Sequence, residues 1–212
     1  MKRLLIFLLL VFCRFNLNAQ VIKTGLNTDI SAVQSCYKST HQVLSFPGLA
    51  VGIFAEITPD QNSRLSAAVE IDLSRQPETY KDEYGTESLN TYSLERRVSN
   101  YVSVPFVINY SVLENKLKFS IGQEISYLLK TAVSITGTRH EVGRDLDIDL
   151  DDEYILYPKD YNPWGAGIVV GAEYMIHKNL GLRVRCVQRI SNGASVVSRS
   201  NRRIQAGLSW YF

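Results

Sequence analysis

Residues Asn201 to Phe212 read N-R-R-I-Q-A-G-L-S-W-Y-F. Ile204, Ala206, Leu208, Trp210 and Phe212 occupy the even positions; Arg203, Gln205, Gly207, Ser209 and Tyr211 occupy the odd ones. Alternation with a period of two makes a strand with two unlike faces. One face is apolar and ends in aromatics, and the other is polar or small.

The same pattern recurs upstream. Strands are expected at about 21–31, 46–57, 64–74, 100–112, 117–135, 164–176 and 180–190, with the quoted stretch as the eighth. In the second, Leu49, Val51, Ile53, Ala55 and Ile57 oppose Gly48, Ala50, Gly52, Phe54 and Glu56. In the seventh, Leu180, Leu182, Val184, Cys186 and Ile190 oppose Gly181, Arg183, Arg185 and Arg189. The connections alternate in length. Thr58–Ser63, Leu113–Lys116 and His177–Asn179 are short and built from turn-forming residues. Ala32–Ser45, Arg75–Val98, Thr136–Asn162 and Ser191–Ser200 are longer. Each short turn follows an even-numbered strand, so the three share one end of the molecule with both termini.

Composition limits what such a meander can be. The chain has 212 residues, 45% apolar and 21% charged, which is ordinary for one folded domain and too balanced to point to a nucleic-acid partner. Met1-Lys2-Arg3, the apolar run Leu4–Phe12 and the ending Asn18-Ala19-Gln20 read as a secretory signal peptide over residues 1–19, with residues 20–212 as the mature domain. The run is too short to span a bilayer as a helix. Cys13 raises a lipoprotein reading, but its flanking Val-Phe and Arg fit that poorly. Removing Lys2, Arg3 and Arg14 takes the formal charge from +2 to −1. Cys36 in a loop and Cys186 on an apolar strand face are not expected to pair.

After the leader, no segment approaches the roughly 20 apolar residues of a membrane helix. Eight alternating strands, short turns on one side and long loops on the other, are the pattern of an all-β, eight-stranded antiparallel up-and-down transmembrane barrel. Its expected place is the bacterial outer membrane, with termini periplasmic and long loops extracellular. The soluble alternative, a lipocalin-like barrel, would bury the apolar face instead. The mid-strand charges decide between them. Glu56, Glu70, Asp72, Glu124 and Glu173 are expected inside with Lys23, Arg64, Lys118, Arg183, Arg185, Arg189 and Arg203, where acids and bases can pair. A hairpin centred on Lys178 puts Glu173 across from Arg183. Tyr110, Phe119, Tyr174, Trp210 and Phe212 cluster on the apolar face near the short-turn end, as an interfacial girdle does. A filled, charge-plugged interior argues against an open pore.

Several motifs carry a resemblance. They are the leader ending Asn18-Ala19-Gln20, Gly25-Leu26-Asn27, Phe46-Pro47-Gly48 through Gly52 to Glu56, Tyr101-Val102-Ser103-Val104-Pro105-Phe106, and Leu208-Ser209-Trp210-Tyr211-Phe212. In this order they resemble the small outer-membrane β-barrel proteins of Bacteroidota-type bacteria, the PorT-like group. The resemblance implies the fold and location given above, and some relatives serve a type IX secretion system. The terminal aromatic also resembles the signal read by barrel-assembly machinery, which makes that machinery an expected partner of the last strand. Outer-membrane lipid is the other.

No motif commits the chain to chemistry. Asp145, Asp147, Asp149 and Asp151 stand at two-residue spacing, conceivable for a hard cation, but an EF-hand's Gly and closing Glu are missing. The simpler reading is a strand above the membrane with one acidic face. His41, His140 and His177 lack a nucleophile motif around them. No catalytic site and no cofactor are expected. Tyr37, Tyr80, Tyr84, Tyr92, Tyr154, Tyr157 and Tyr161 fall in the outer loops and favour a protein partner there, or a lipid boundary. The expected function is therefore structural or loop-mediated interaction. A secretion-system accessory, a narrow pore and a rim enzyme stand as alternatives.

Overall fold

A computed structural model describes residues 21–36, 43–60, 62–86, 89–114, 116–141, 146–157, 163–190 and 200–212; the expected signal segment lies outside them. Among the described residues nine strands run in chain order: β1 (Val21–Cys36), β2 (Val43–Thr58), β3 (Leu65–Thr86), β4 (Leu89–Val112), β5 (Leu117–Glu141), β6 (Leu146–Leu156), β7 (Trp164–His177), β8 (Leu180–Arg189) and β9 (Ser200–Tyr211). All pairings are antiparallel. Eight strands close a ring, β1-β2-β3-β4-β5-β7-β8-β9, and β9 returns to β1 over Gly25↔Tyr211 to Cys36↔Ser200. Closure gives the ring's backbone N–H and C=O groups partners without water, which is the condition for crossing hydrocarbon.

Alternation assigns the faces, and burial shows which face is inside. Glu56, Glu70, Lys118, Glu124, Arg183, Arg185 and Arg203 are buried, while Ile53, Ile71, Phe106, Ile121, Ile168 and Leu208 are about half exposed. A soluble barrel would reverse this. Removing apolar side chains from water cannot stabilise a barrel whose leucines and isoleucines point outward, so the outside must meet lipid. That excludes the lipocalin-like alternative.

Several expectations about the connections need correction. The stretch expected as a long connection at 75–98 is largely ladder. β3 and β4 stay paired up to Thr86↔Leu89, and β4 and β5 up to Leu89↔Glu141. The polar side chains there, Arg, Glu, Thr and Tyr, suit a hairpin standing in water as well as a coil. The connection expected at 136–162 contains β6, which pairs with β5 from Thr131↔Leu156 to Glu141↔Leu146. Cys36 ends β1 instead of lying in a loop, and His177 ends β7 instead of lying in the turn. Tyr80, Tyr84, Tyr92 and Tyr154 likewise stand in strands.

One bulge links the two parts of β5. Asn100 faces Lys130, but its neighbour Tyr101 faces Leu128, so Leu129 is the extra residue. Below it, Lys118, Glu124, Ser126 and Leu128 are buried; above it, Thr131 and Val133 are. A single inserted residue reverses the inward parity and keeps β5 in step with Ser99 and Arg97 of β4, which are also buried. At the opposite end, Leu113 and Glu114 adopt φ of 50° and 54° to turn β4 into β5.

Candidate functional site

The barrel interior is filled by charged side chains in layers. Nearest the short-turn end, Lys118 on β5 donates from Nζ to Glu56 Oε2 of β2 at 2.7 Å and to Tyr211 Oη of β9 at 3.1 Å. Its ammonium also lies 4.6 Å from the centre of the Tyr211 ring. Tyr211 Oη donates to Glu173 Oε2 of β7 at 2.6 Å, and Ser66 Oγ donates to Glu56 Oε1 at 2.5 Å. Phe54 meets Tyr211 edge to face with centroids 4.9 Å apart, and the ring lies where a side chain on Gly25 would go.

The next layer carries the densest charge. Arg183 on β8 donates from Nε to Asp29 Oδ1 at 2.8 Å, from Nη2 to Asp29 Oδ2, and from Nη1 to Glu70 Oε2 at 3.1 Å. Arg185 grips both oxygens of Glu70, with Nη1 to Oε2 at 2.8 Å and Nη2 to Oε1. Asn27 Nδ2 adds a contact to Glu70 Oε2 at 3.0 Å. Paired guanidinium donors matched to carboxylate oxygens are the strong form of this contact. Asp72 completes the layer, its Oδ1 without a hydrogen-bond partner among the described residues. Above it, Arg203 donates to Glu124 Oε2 at 2.5 Å beside an apolar knot of Val107, Val169 and Val187. Higher still, Arg189 sits 4.8 Å over the Tyr101 ring and Ser99 meets Thr131 at 3.0 Å.

All eight residues expected to form the interior charge network are therefore inside, but their partners differ from strand arithmetic. Glu173 does face Arg183 in register. Arg183 nevertheless reaches across the barrel to β1 and β3, and Glu173 takes Tyr211, with Lys118 4.0 Å away. Long side chains in a narrow barrel choose among all inward neighbours, not just the one across the ladder. Lys23 and Arg64, expected inside, are exposed at the short-turn end, because each strand begins there and its first residues clear the packed interior. Sequence reasoning missed Asp29 as a partner and the valine knot. Asp29 was legible as an inward position of the first strand, two residues from Asn27.

The voids between these groups measure about 20 Å³ and 10 Å³. Each holds at most about one water. A wider mouth of about 810 Å³ at the short-turn end includes Lys23, Lys116, His177 and Lys178 in its lining.

On the outside, Tyr110, Phe119, Tyr174, Trp210 and Phe212 are all exposed near the short turns. A second outward aromatic pair, Tyr127 and Trp164, packs edge to face at 4.9 Å further along β5 and β7. Beyond the ring, β3, β4, β5 and β6 continue as a four-stranded sheet. Asp151, Asp152, Glu153, Tyr154 and Ile155 on β6 are exposed. Asp147 and Asp149 lie in the same strand, and Asp145 lies outside the described residues. No group of three acids, cysteines or histidines close enough to hold a metal ion occurs among the described residues.

A closed antiparallel ring, apolar outside and ion-paired inside, defines an integral membrane β-barrel. The family match agrees and is more specific: residues 15–192 match the outer membrane protein beta-barrel domain, and the chain belongs to that family. No curated protein sequence matches the chain. Similar solved structures include Ail of Yersinia pestis in complex with the heparin analogue sucrose octasulfate. It is 9% identical, with a TM-score of 0.46, covering 92% of this chain and 99% of that one. Neisserial surface protein A is 15% identical with a TM-score of 0.40, covering 92% and 100%. CarO of Acinetobacter baumannii is 10% identical with a TM-score of 0.44, covering 89% and 97%.

Proposed function

We propose that this protein is a non-enzymatic, non-conducting outer-membrane barrel whose β3–β6 sheet is an interaction surface for a protein partner. The short-turn end faces the periplasm and the sheet faces outward. The observation that carries this is the contrast between a shut interior and a sheet built well beyond the ring. The layers around Lys118, Arg183 and Arg203 enclose voids of only about 20 Å³ and 10 Å³, which supports a non-conducting barrel. The sheet extends β3, β4 and β5 to 22, 24 and 25 residues, against the 9–11 a tilted strand needs to cross. An accessory role in a secretion system would use this same surface.

Two measurements test the proposal. The folded barrel in planar bilayers is expected to give no conductance steps, and steady single-channel openings would count for the pore instead. A photo-crosslinking residue at Tyr154 or Ile155 in cells is expected to give one discrete protein adduct. Adducts as diffuse as those from a control site on the lipid-facing wall, such as Ile121, would refute the partner surface.

A further inference from the structure

We infer that the outer face carries a binding site for the phosphate of an anionic membrane lipid, formed by Arg75, Asn100 and Lys130 along an apolar depression. The three residues occupy one ladder row, since Arg75 pairs with Asn100 and Asn100 with Lys130. Arg75 and Lys130 are exposed and Asn100 is half-buried between them. Two inter-strand spacings, across β4, separate the cations by about 10 Å at the backbone. An arginine and a lysine reaching inward from that distance can converge on one phosphate, with the Asn100 amide as a third donor.

The surroundings fit a lipid and not a free anion. A shallow depression of about 1060 Å³ runs along the row: its outward lining includes Leu49, which shares the row with Arg75, and Val51, Leu73 and Leu129 below it, and it continues across β1 and β9 to Leu208 and Leu182. Acyl chains fill such a surface while the headgroup meets the cations. The row marks where the apolar belt ends: Leu73 is exposed below Arg75, and half-buried Pro77 and Thr79 follow above it. The exposed acids of this flank stand further along. Glu153 pairs with Ser134 and Asp151 with Thr136, beyond Lys130 on β5, so no described acid shares the phosphate row. Neither Arg75 nor Lys130 forms an ion pair among the described residues. The bulge at Leu129 places Lys130 outward; without it, the alternation of the lower strand would turn this lysine into the barrel. This site is on the lipid-facing flank and does not depend on the partner surface proposed above.

The two tryptophans make the test internal. Trp164 stands outward on β7 beside Tyr127, three residues below Lys130, and Trp210 stands at the opposite rim. The full barrel is reconstituted in vesicles mixing phosphatidylcholine with phosphatidylglycerol, one of the two brominated, and tryptophan quenching gives the relative affinity for the anionic lipid. In a Trp210→Phe background, Trp164 is expected to report a preference of about fivefold or more, the effect of one basic side chain near a charged surface. Arg75→Gln with Lys130→Gln is expected to return it to about one, while Arg75→Lys keeps it. Trp210, read in a Trp164→Phe background, stands at the rim that carries Lys116 and Lys178, and its reading is expected to be unchanged by the double substitution. No preference at Trp164, or a preference there that survives the double substitution, would each overturn the site. If the double variant fails to fold, judged by heat-modifiable migration, Arg75→Gln and Lys130→Gln read singly at Trp164 decide: each is expected to lower the preference, and no change in either would overturn the site.

Discussion

The ring and the sheet that rises from it share three strands, β3, β4 and β5, yet they satisfy opposite solvents. In the ring every strand has a neighbour on each side, polar groups are inside and apolar groups outside. In the sheet above Arg75, among the described residues, β3 pairs with β4 alone and β6 with β5 alone, which leaves two edges open there. Open edges are costly in lipid and tolerable in water, where acids discourage unwanted pairing. The same backbone ladder thus runs through both regions, and the environment decides what its faces and edges carry.

The comparison can be broken where the ring is most committed. Arg183→Met strips Asp29 of its paired donors and leaves buried charge uncompensated, a loss expected at about 3–5 kcal/mol. Urea unfolding of the folded barrel in lipid or detergent measures it. A loss below about 1 kcal/mol would mean the interior is hydrated and not ion-paired. Gly25→Ala tests the packing around Phe54 and Tyr211. A side chain there meets the Phe54 ring and the Trp210 carbonyl, and overpacking of this kind costs about 1–3 kcal/mol by the same measurement. Unchanged stability would indicate that the Phe54 ring and the β9 backbone at Trp210 both give way.

Phe212→Ala separates stability from assembly. The side chain is 71% exposed on the lipid face, so the formed barrel should lose less than about 1 kcal/mol. Insertion in cells, followed as the heat-modifiable band over time, is expected to slow by more than that loss accounts for. Equal assembly of variant and wild type would remove the terminal aromatic as a signal. The smallest effect belongs to the upper sheet. Asp151→Asn with Glu153→Gln changes exposed side chains on a solvated strand, and stability should stay within about 0.5 kcal/mol. A larger loss would make β6 part of the folding unit and weaken its reading as a presenting surface.

The sequence alone determined the number of barrel staves, their inward and outward faces, the short-turn end and the charged interior. These rest on period-two alternation and turn chemistry, which are local. Asn201–Phe212 is the clearest case: its even face meets lipid, Arg203 pairs with Glu124 inside, and Tyr211 caps the lower charge layer. Tertiary structure decided what local pattern cannot encode. It sent Arg183 to Asp29 and Glu70 instead of to the Glu173 it faces on the ladder, because a closed ring brings distant strands within reach of a long side chain. It turned polar stretches read as loops into paired strands, because hydrophilic ladders in water lack the apolar face that marks a strand. It also used one bulge at Leu129 to reverse the parity of β5, which places Lys130 on the lipid-facing flank.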